Sequence, residues 1–165
     1  MSEEEKPKKL AIIASKGSLD EAYPPLILAV TAAAMDWEVA IFFTFYGLEI
    51  LKKNKANKLK VAPLANPAMP KPKWMPFPIP NILGVLPGMT PFATWMMNRW
   101  MKKAGVKKLG ELLKEAQEMG VRLIACQMTL DVLGIKQKDL IDGVEFAGAA
   151  SFLAFAEDAD VTLYI

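Results

Sequence analysis

Short apolar runs alternate along this chain with segments that have helical periodicity, and this alternation limits the fold more than any other feature. The run at 9–14 is apolar on both faces, which is typical of a buried strand in a parallel sheet. Further strands are predicted at 38–44, 121–126, 144–146 and 161–165. Helices are predicted between them at 20–35, 47–53, 108–119, from about 129 to 134, and at 148–157. The order β-α-β-α-β-α-β-α-β predicts a five-stranded parallel sheet with helices on both faces.

The helix at 108–119 has the clearest pattern. Its apolar residues recur at intervals of three and four and form one face, and glycine follows directly. They are Leu109, Leu112, Leu113, Ala116 and Met119, with Gly120 as the expected end. The helix at 20–35 is different, because it is almost wholly apolar from Leu26 to Met35. Such a helix needs cover on most sides, which favours a subunit contact.

An insertion at about 60–101 interrupts the alternation after the second strand. It holds nine of the twelve prolines and six of the ten methionines, and 74–98 carries no charge. The prolines forbid a continuous membrane-spanning helix. We expect an oligomer interface or a lid over the functional site, with methionines adapting to the contact. Peripheral membrane contact is the second interpretation, and an extra core layer within a single 1–165 domain is the third.

Composition excludes several classes of function. The chain has one cysteine and no histidine, so it lacks a Ser-His-Asp triad, a His-ligated zinc site and a CxxC redox pair. No spacing indicates a metal site, and no cofactor is expected. A net charge of +2 gives no reason to expect nucleic acid. The charged N-terminus is unlike a signal peptide, and one cysteine forms no internal disulfide, so we expect a cytoplasmic protein.

Cys126 is the candidate nucleophile. It follows the strand at 121–126, and the residues from Gln127 onward form the first turn of a helix. A thiol at such a place meets free backbone N–H groups and the positive end of the helix dipole, which favour the reactive thiolate. The alternative is a small buried hydrophobic residue, which is how most free cysteines behave.

The carboxyl ends of parallel strands share one edge of the sheet, where ligands bind in open α/β folds. Lys16 and Gly17 follow the first strand, Gln127 follows Cys126, and Gly148 follows the fourth strand. We expect these residues to bind an anionic sulfur substituent or substrate. Lys16 is otherwise a solvated loop lysine, and the glycines otherwise serve turns. No GxGxxG or phosphate-binding loop is present.

Several ordered motifs resemble the DsrE/DsrF-like family over nearly the whole chain. They are Ser15-Lys16-Gly17-Ser18-Leu19-Asp20, Phe42-Phe43-Thr44-Phe45-Tyr46-Gly47-Leu48, Asn66-Pro67-Ala68-Met69-Pro70 and the stretch 123–165 around Cys126. The third motif resembles a branch with a Pro/Met-rich insertion. The resemblance implies a flavodoxin-like three-layer sandwich with a mainly parallel sheet, and assembly into homo- or hetero-oligomers.

The resemblance also implies sulfur trafficking, in which the family cysteine matches Cys126. There it accepts a persulfide or thiosulfonate sulfur and passes it to a partner such as a TusA-like carrier. Some members have a second cysteine, where this chain has Thr129, Asp131 and Gly134, so a mechanism with two thiols in one chain is in doubt. Our hypothesis is a sulfurtransferase or sulfur carrier. The alternatives are a non-catalytic assembly protein with a structural Cys126, and a protein that binds a nucleotide-like ligand.

Overall fold

The computed structural model describes residues 6–62 and 84–165. Its contacts divide the chain into two compact units. The first holds the described residues up to 17, together with 21–59 and 108–165, and the second holds 18–20 and the described part of 60–107. The second unit therefore contains what is described of the predicted insertion, whose residues 63–83 lie outside the described residues.

The first unit is built on a parallel five-stranded sheet, as predicted. Every paired strand runs parallel to its neighbour, in the spatial order β4-β3-β2-β1-β5. The strands are β1 (Lys9–Ala14), β2 (Glu38–Phe43), β3 (Arg122–Cys126), β4 (Glu145–Ala147) and β5 (Val161–Tyr164). The first four strands follow one another across the sheet, and only β5 returns to the other side of β1.

Within the described residues, six α-helices lie between the strands. They are α1 (Leu19–Ala33), α2 (Leu48–Leu51), α3 (Met89–Lys103), α4 (Leu109–Glu118), α5 (Gln127–Leu133) and α6 (Ala149–Ala156). The helix predicted at 47–53 is shorter, because the backbone at Lys52 becomes extended and forms a bridge with Leu140. The helix predicted from about 129 begins two residues earlier, directly after Cys126.

Chain direction decides which face each helix covers. Crossovers between parallel strands are right-handed, so α1, α4 and α5 lie on one face of the sheet and the returning α6 lies on the other. Phe152 of α6 stacks on Phe42 of β2, with ring centroids 5.0 Å apart. The buried residues of this layer form one cluster: Ala11, Ala40, Phe42, Ile124, Cys126 and Phe152. The fold is therefore a three-layer α/β sandwich, as expected.

The second unit contains α3, which forms part of the predicted insertion. Ala93 is buried, whereas Phe92 and Trp95 lie on the opposite, exposed side of the helix. Val61 N–H donates to Thr94 Oγ1 at 3.0 Å, and this hydrogen bond holds Val61 against the helix. Met96, Met97 and Met101 of the same helix are partly buried, whereas Trp100 is exposed.

Among the described residues, no helix combines the length and the apolar character needed to cross a membrane.

Candidate functional site

Cys126 ends β3 and stands directly before α5. Its backbone is extended, with φ −66° and ψ 112°, and the next residue begins the helix. Every residue of β3 except Arg122 is buried, as its apolar sequence predicts. The sulfur therefore lies at the carboxyl edge of the sheet, where the sequence placed it, and it is a free thiol.

The side chain of Cys126 points toward the α6 layer. It belongs to the apolar cluster with Phe42, Ile124 and Phe152, and only 5% of the residue is exposed. In the sheet it lies beside Ala147 of β4. A partner or reagent therefore reaches this sulfur only after a local movement of its cover, and such opening costs less free energy than global unfolding.

Thr129 fixes the start of α5 to the neighbouring strand end. Its hydroxyl lies 3.1 Å from the hydroxyl of Thr44 and accepts a hydrogen bond from Phe45 N–H at 3.3 Å. Thr129 is 1% exposed. Phe45 has a φ of +45°, a strained value for a bulky residue, so the contact stabilises an unfavourable turn. Sequence reasoning missed this role, although a threonine among apolar neighbours after a strand was a signal.

Gln127 is the predicted site residue nearest to Cys126 in the chain. Its side-chain amide donates to Asp131 Oδ1 at 3.1 Å, one helical turn further on. Pairs of this kind, four residues apart, stabilise a helix. Asp131 is therefore engaged by Gln127, and the pair forms a polar exposed side of α5 beside the buried thiol.

Lys16 lies at the same edge of the sheet but not beside Cys126. Strand β2 stands between β1 and β3, which separates their ends by about 10 Å at the usual strand spacing. The Lys16 ammonium instead pairs with Glu21 Oε1 at 3.1 Å. The structure does not bring Lys16 to the sulfur, and its predicted role in anion binding stays a prediction.

The two predicted glycines occupy opposite environments. A Cβ at Gly17 would stand 2.2 Å from the Tyr46 carbonyl oxygen, so glycine permits a close approach of two backbones. A Cβ at Gly148 would meet no heavy atom within 4 Å. Gly148 also has an ordinary extended backbone, with φ −87° and ψ 173°. Crowding explains Gly17, and neither crowding nor strain explains Gly148, which adjoins Ala147 next to Cys126.

A cavity of about 590 Å³ lies at the opposite, amino end of the sheet, lined in part by Trp37, Arg122 and Phe155. Arg122 forms two hydrogen bonds with Glu145, at 2.9 and 2.7 Å. These bonds raise the pKa of Arg122 and lower the pKa of Glu145. The Arg122 guanidinium is therefore already paired. Arg122 lies four positions before Cys126 in β3, about 13 Å away along the strand. We therefore place the candidate site at Cys126.

Metal ligands are not grouped in the part of the chain that the structure describes. Within it, no three Asp, Glu or Cys side chains are placed to bind an ion together.

Comparison with known proteins identifies the relatives. The model of the DsrE/DsrF/DrsH-like family matches residues 6–164. The chain is 55% identical to the sulfur carrier protein DsrE2 of Allochromatium vinosum, over 96% of this chain and 98% of that protein. It is 37% identical to the uncharacterized protein YrkE of Bacillus subtilis, over 98% and 99% of the two chains.

Solved structures support the same fold. The ychN protein from E. coli superposes with a TM-score of 0.53 at 17% identity, covering 96% of this chain and 99% of that one. MTH1491 from Methanobacterium thermoautotrophicum gives 0.51 at 11% identity, over 94% and 98%. A family match over almost the whole sequence, joined to this sheet and a cysteine at the end of β3, leads to one conclusion: the chain belongs to the DsrE/DsrF/DrsH-like family.

Proposed function

We propose that this protein is a cytoplasmic sulfur carrier that holds sulfur covalently on Cys126 and passes it to a partner thiol. One observation carries the proposal. Cys126, the only cysteine, stands at the carboxyl end of β3 directly before α5, in a chain that is 55% identical to a protein named as a sulfur carrier. Ligands of open α/β sheets bind at this edge.

The chemistry needs two displacements at sulfur. In loading, the Cys126 thiolate attacks the sulfane sulfur of a donor, an S–S bond forms, and the donor leaves with the electron pair of the broken bond. Thiosulfate leaves as sulfite and yields a persulfide, whereas tetrathionate leaves as thiosulfate and yields a thiosulfonate. In unloading from the persulfide, an acceptor thiolate attacks the outer sulfur, and Cys126 leaves as a thiolate. Neither step consumes an oxidant or reductant beyond the donor and acceptor.

The residues around Cys126 have separate parts in the proposal. The N–H groups at the start of α5 and the Gln127 amide are our candidates for stabilising an anion carried on the sulfur once the side chain of Cys126 turns away from the α6 cluster. Gly148 is exposed and has no side chain, so it leaves the end of β4 next to Cys126 open to an approaching donor or acceptor. Lys16 contributes only if it leaves Glu21 and approaches from across β2. With one thiol in the chain, the second thiol belongs to a partner, for which a TusA-like carrier is our proposal.

Assembly is the second part of the proposal. We propose a homo-oligomer, because α1 exposes Ile27 and Leu28 and α6 exposes Leu153, at 44%, 41% and 62%. The family resemblance supports the same expectation. Light scattering tests it, with a particle mass above the 18.2 kDa of one chain as the expected result.

Intact-mass measurement tests sulfur loading. We expect the protein to gain about 32 Da per sulfur after incubation with polysulfide or thiosulfate, and about 112 Da with tetrathionate, as for any covalent adduct on a nucleophilic thiol. Cys126→Ser is the control and should gain nothing. An adduct that persists in this variant, or a wild-type protein that no donor modifies, would refute the proposal.

A wild-type protein that no sulfur donor modifies would favour the alternative, a non-catalytic assembly protein with a structural cysteine. The burial of Cys126 in the α6 cluster is the observation on its side. In that case Cys126→Ala should leave the oligomer and every binding property intact.

A further inference from the structure

Helix α3 and the turn before it expose a group of large apolar side chains. Val85, Leu86, Phe92 and Trp95 are 69%, 52%, 56% and 57% exposed. The rings of Phe92 and Trp95 are 6.2 Å apart and stacked, so they form one surface. We call these four residues the apolar tip. A single exposed apolar residue needs no explanation, but four large ones within eleven residues, two of them in ring contact, mark a surface that something covers.

Cations follow the apolar tip along the same helix. Arg99, Lys102 and Lys103 are exposed, and the Arg99 guanidinium lies 5.7 Å from the Trp95 ring centroid. We call these three residues the basic collar. Among the described residues, no carboxylate forms an ion pair with any of them. The sequence agrees, because no Asp or Glu occurs anywhere from Ile50 to Gly110, whereas that stretch holds twelve lysines and arginines.

The spacing of tip and collar matches the layers of a membrane surface. Trp95 is four residues from Arg99 and eight from Lys103, which is about 6 Å and about 12 Å along the helix axis. An interfacial helix buries its apolar side about 5–10 Å into the boundary between headgroups and acyl chains. The tip can therefore enter this boundary while the collar stays at the level of the lipid phosphates.

We propose that the apolar tip and basic collar of α3 bind the surface of an anionic membrane. Tryptophan and phenylalanine provide apolar surface that suits the headgroup layer, and the cations are attracted by anionic lipid. The positive charge of the basic collar favours a lipid surface over a second copy of the chain. A second copy would bring another unpaired collar against the first, whereas a lipid surface offers a negative charge for each cation. The attachment is peripheral and independent of the sulfur chemistry at Cys126.

Vesicle co-sedimentation of the full chain tests this proposal. Vesicles of phosphatidylcholine alone are compared with vesicles of phosphatidylcholine and phosphatidylglycerol in about a 2:1 ratio. We expect binding to the anionic vesicles only, and release when NaCl is raised from about 50 mM to about 500 mM, since salt screens the attraction. Lys102→Glu/Lys103→Glu should lower the partition coefficient about tenfold or more.

Matched variants separate the surface from general charge and hydrophobicity. Lys136→Glu/Lys138→Glu makes the same change of charge at exposed positions of the first unit and should bind like the wild type. Trp95→Ser should weaken binding, whereas Val132→Ser, which removes a side chain that is 69% exposed, should not. If the collar variant fails to fold, the salt titration and Trp95→Ser still decide.

Three results would overturn the proposal: no binding to anionic vesicles, equal binding to neutral ones, or equal losses in the matched variants. A fourth would assign α3 to a second copy. In that case the parent protein would not bind vesicles. Trp95→Ser would lower the particle mass measured by light scattering.

Discussion

The two halves of the sheet's carboxyl edge are built differently. At the ends of β1 and β2, backbone packs on backbone: a Cβ at Gly17 would stand 2.2 Å from the Tyr46 carbonyl oxygen, and one at Gly47 would stand 2.1 Å from the Ala14 carbonyl oxygen. At the ends of β3 and β4, a Cβ at Gly148 would meet nothing within 4 Å. The reactive candidate, Cys126, lies in the permissive half.

Hydrogen bonds show the same contrast. Thr44 N–H donates to Ala14 oxygen at 3.0 Å and Gly47 N–H to Ser15 oxygen at 3.2 Å, so the first half is fixed by main-chain contacts. Thr129 joins the halves through Thr44. The rigid half holds the sheet edge in place, whereas in the permissive half Gly148 is exposed and has open space around it.

The largest expected effect is on the rigid half. Gly47→Ala should lower the free energy of unfolding by about 3 kcal/mol or more, because two main chains must separate to admit the methyl group. Gly148→Ala is the matched variant and should cost less than about 1 kcal/mol, since it loses only a favourable N-cap residue. Urea unfolding measures both. Equal losses in the two variants would show that the two halves of the edge do not differ in rigidity.

Removing the Thr129 hydrogen bonds, which join the two halves, should lower the free energy of unfolding by less than Gly47→Ala does. Thr129→Val keeps the shape of the side chain but leaves Phe45 N–H and the Thr44 hydroxyl without their partner, which should cost about 1–3 kcal/mol. Thr31→Val is the control, because the Thr31 hydroxyl is exposed and donates to the Ile27 oxygen of its own helix. That change should stay within about 0.5 kcal/mol. A neutral Thr129→Val would show that the halves are joined by packing alone.

Access to Cys126 should depend on Gly148. Gly148→Leu places a bulky side chain in the open space of the permissive half, so we expect the rate of Cys126 alkylation by a bulky maleimide to fall about tenfold, or about 1.4 kcal/mol in the barrier. Val132→Leu, on the exposed side of α5, should leave the rate unchanged. An unchanged rate in Gly148→Leu would mean that reagents reach the sulfur from elsewhere.

The smallest expected effect lies at the amino end of the sheet. The hydrogen bond from Lys6, followed by that from Lys9, lowers the pKa of Asp158 from its usual 3.8 to about 2. Because the folded pKa is depressed, the stability from this group is present above pH 3.8 and is lost as the pH falls toward 2. Asp158→Asn should therefore differ from the wild type at neutral pH and converge with it near pH 2 in urea unfolding. Glu157→Gln is the control, and a constant difference down to pH 2 would contradict the assignment.

The sequence was sufficient to predict the sheet but not the contacts at its edge. Strands such as β1 are apolar on both faces, and few other environments produce that pattern, so the parallel sheet and the place of Cys126 were predictable. The bond between Thr129 and Thr44 joins residues 85 positions apart, which no local pattern reveals. Gly17 and Gly148 have the same letter in the sequence, and only the neighbouring backbone shows that one is crowded and the other open. The burial of Cys126 depends on Phe152 of α6, which returns to the sheet from the far strand.

The discharge of loaded Cys126 distinguishes a sulfur carrier from a protein that is only modified at its cysteine. Protein carrying one extra sulfur is separated from donor and mixed with an excess of a small thiol, and the masses of both partners are followed with time. We expect the protein to return to its unmodified mass, losing about 32 Da, while the thiol gains the same sulfur as a persulfide. A loaded protein that keeps its mass in the presence of thiol would contradict a carrier role for Cys126.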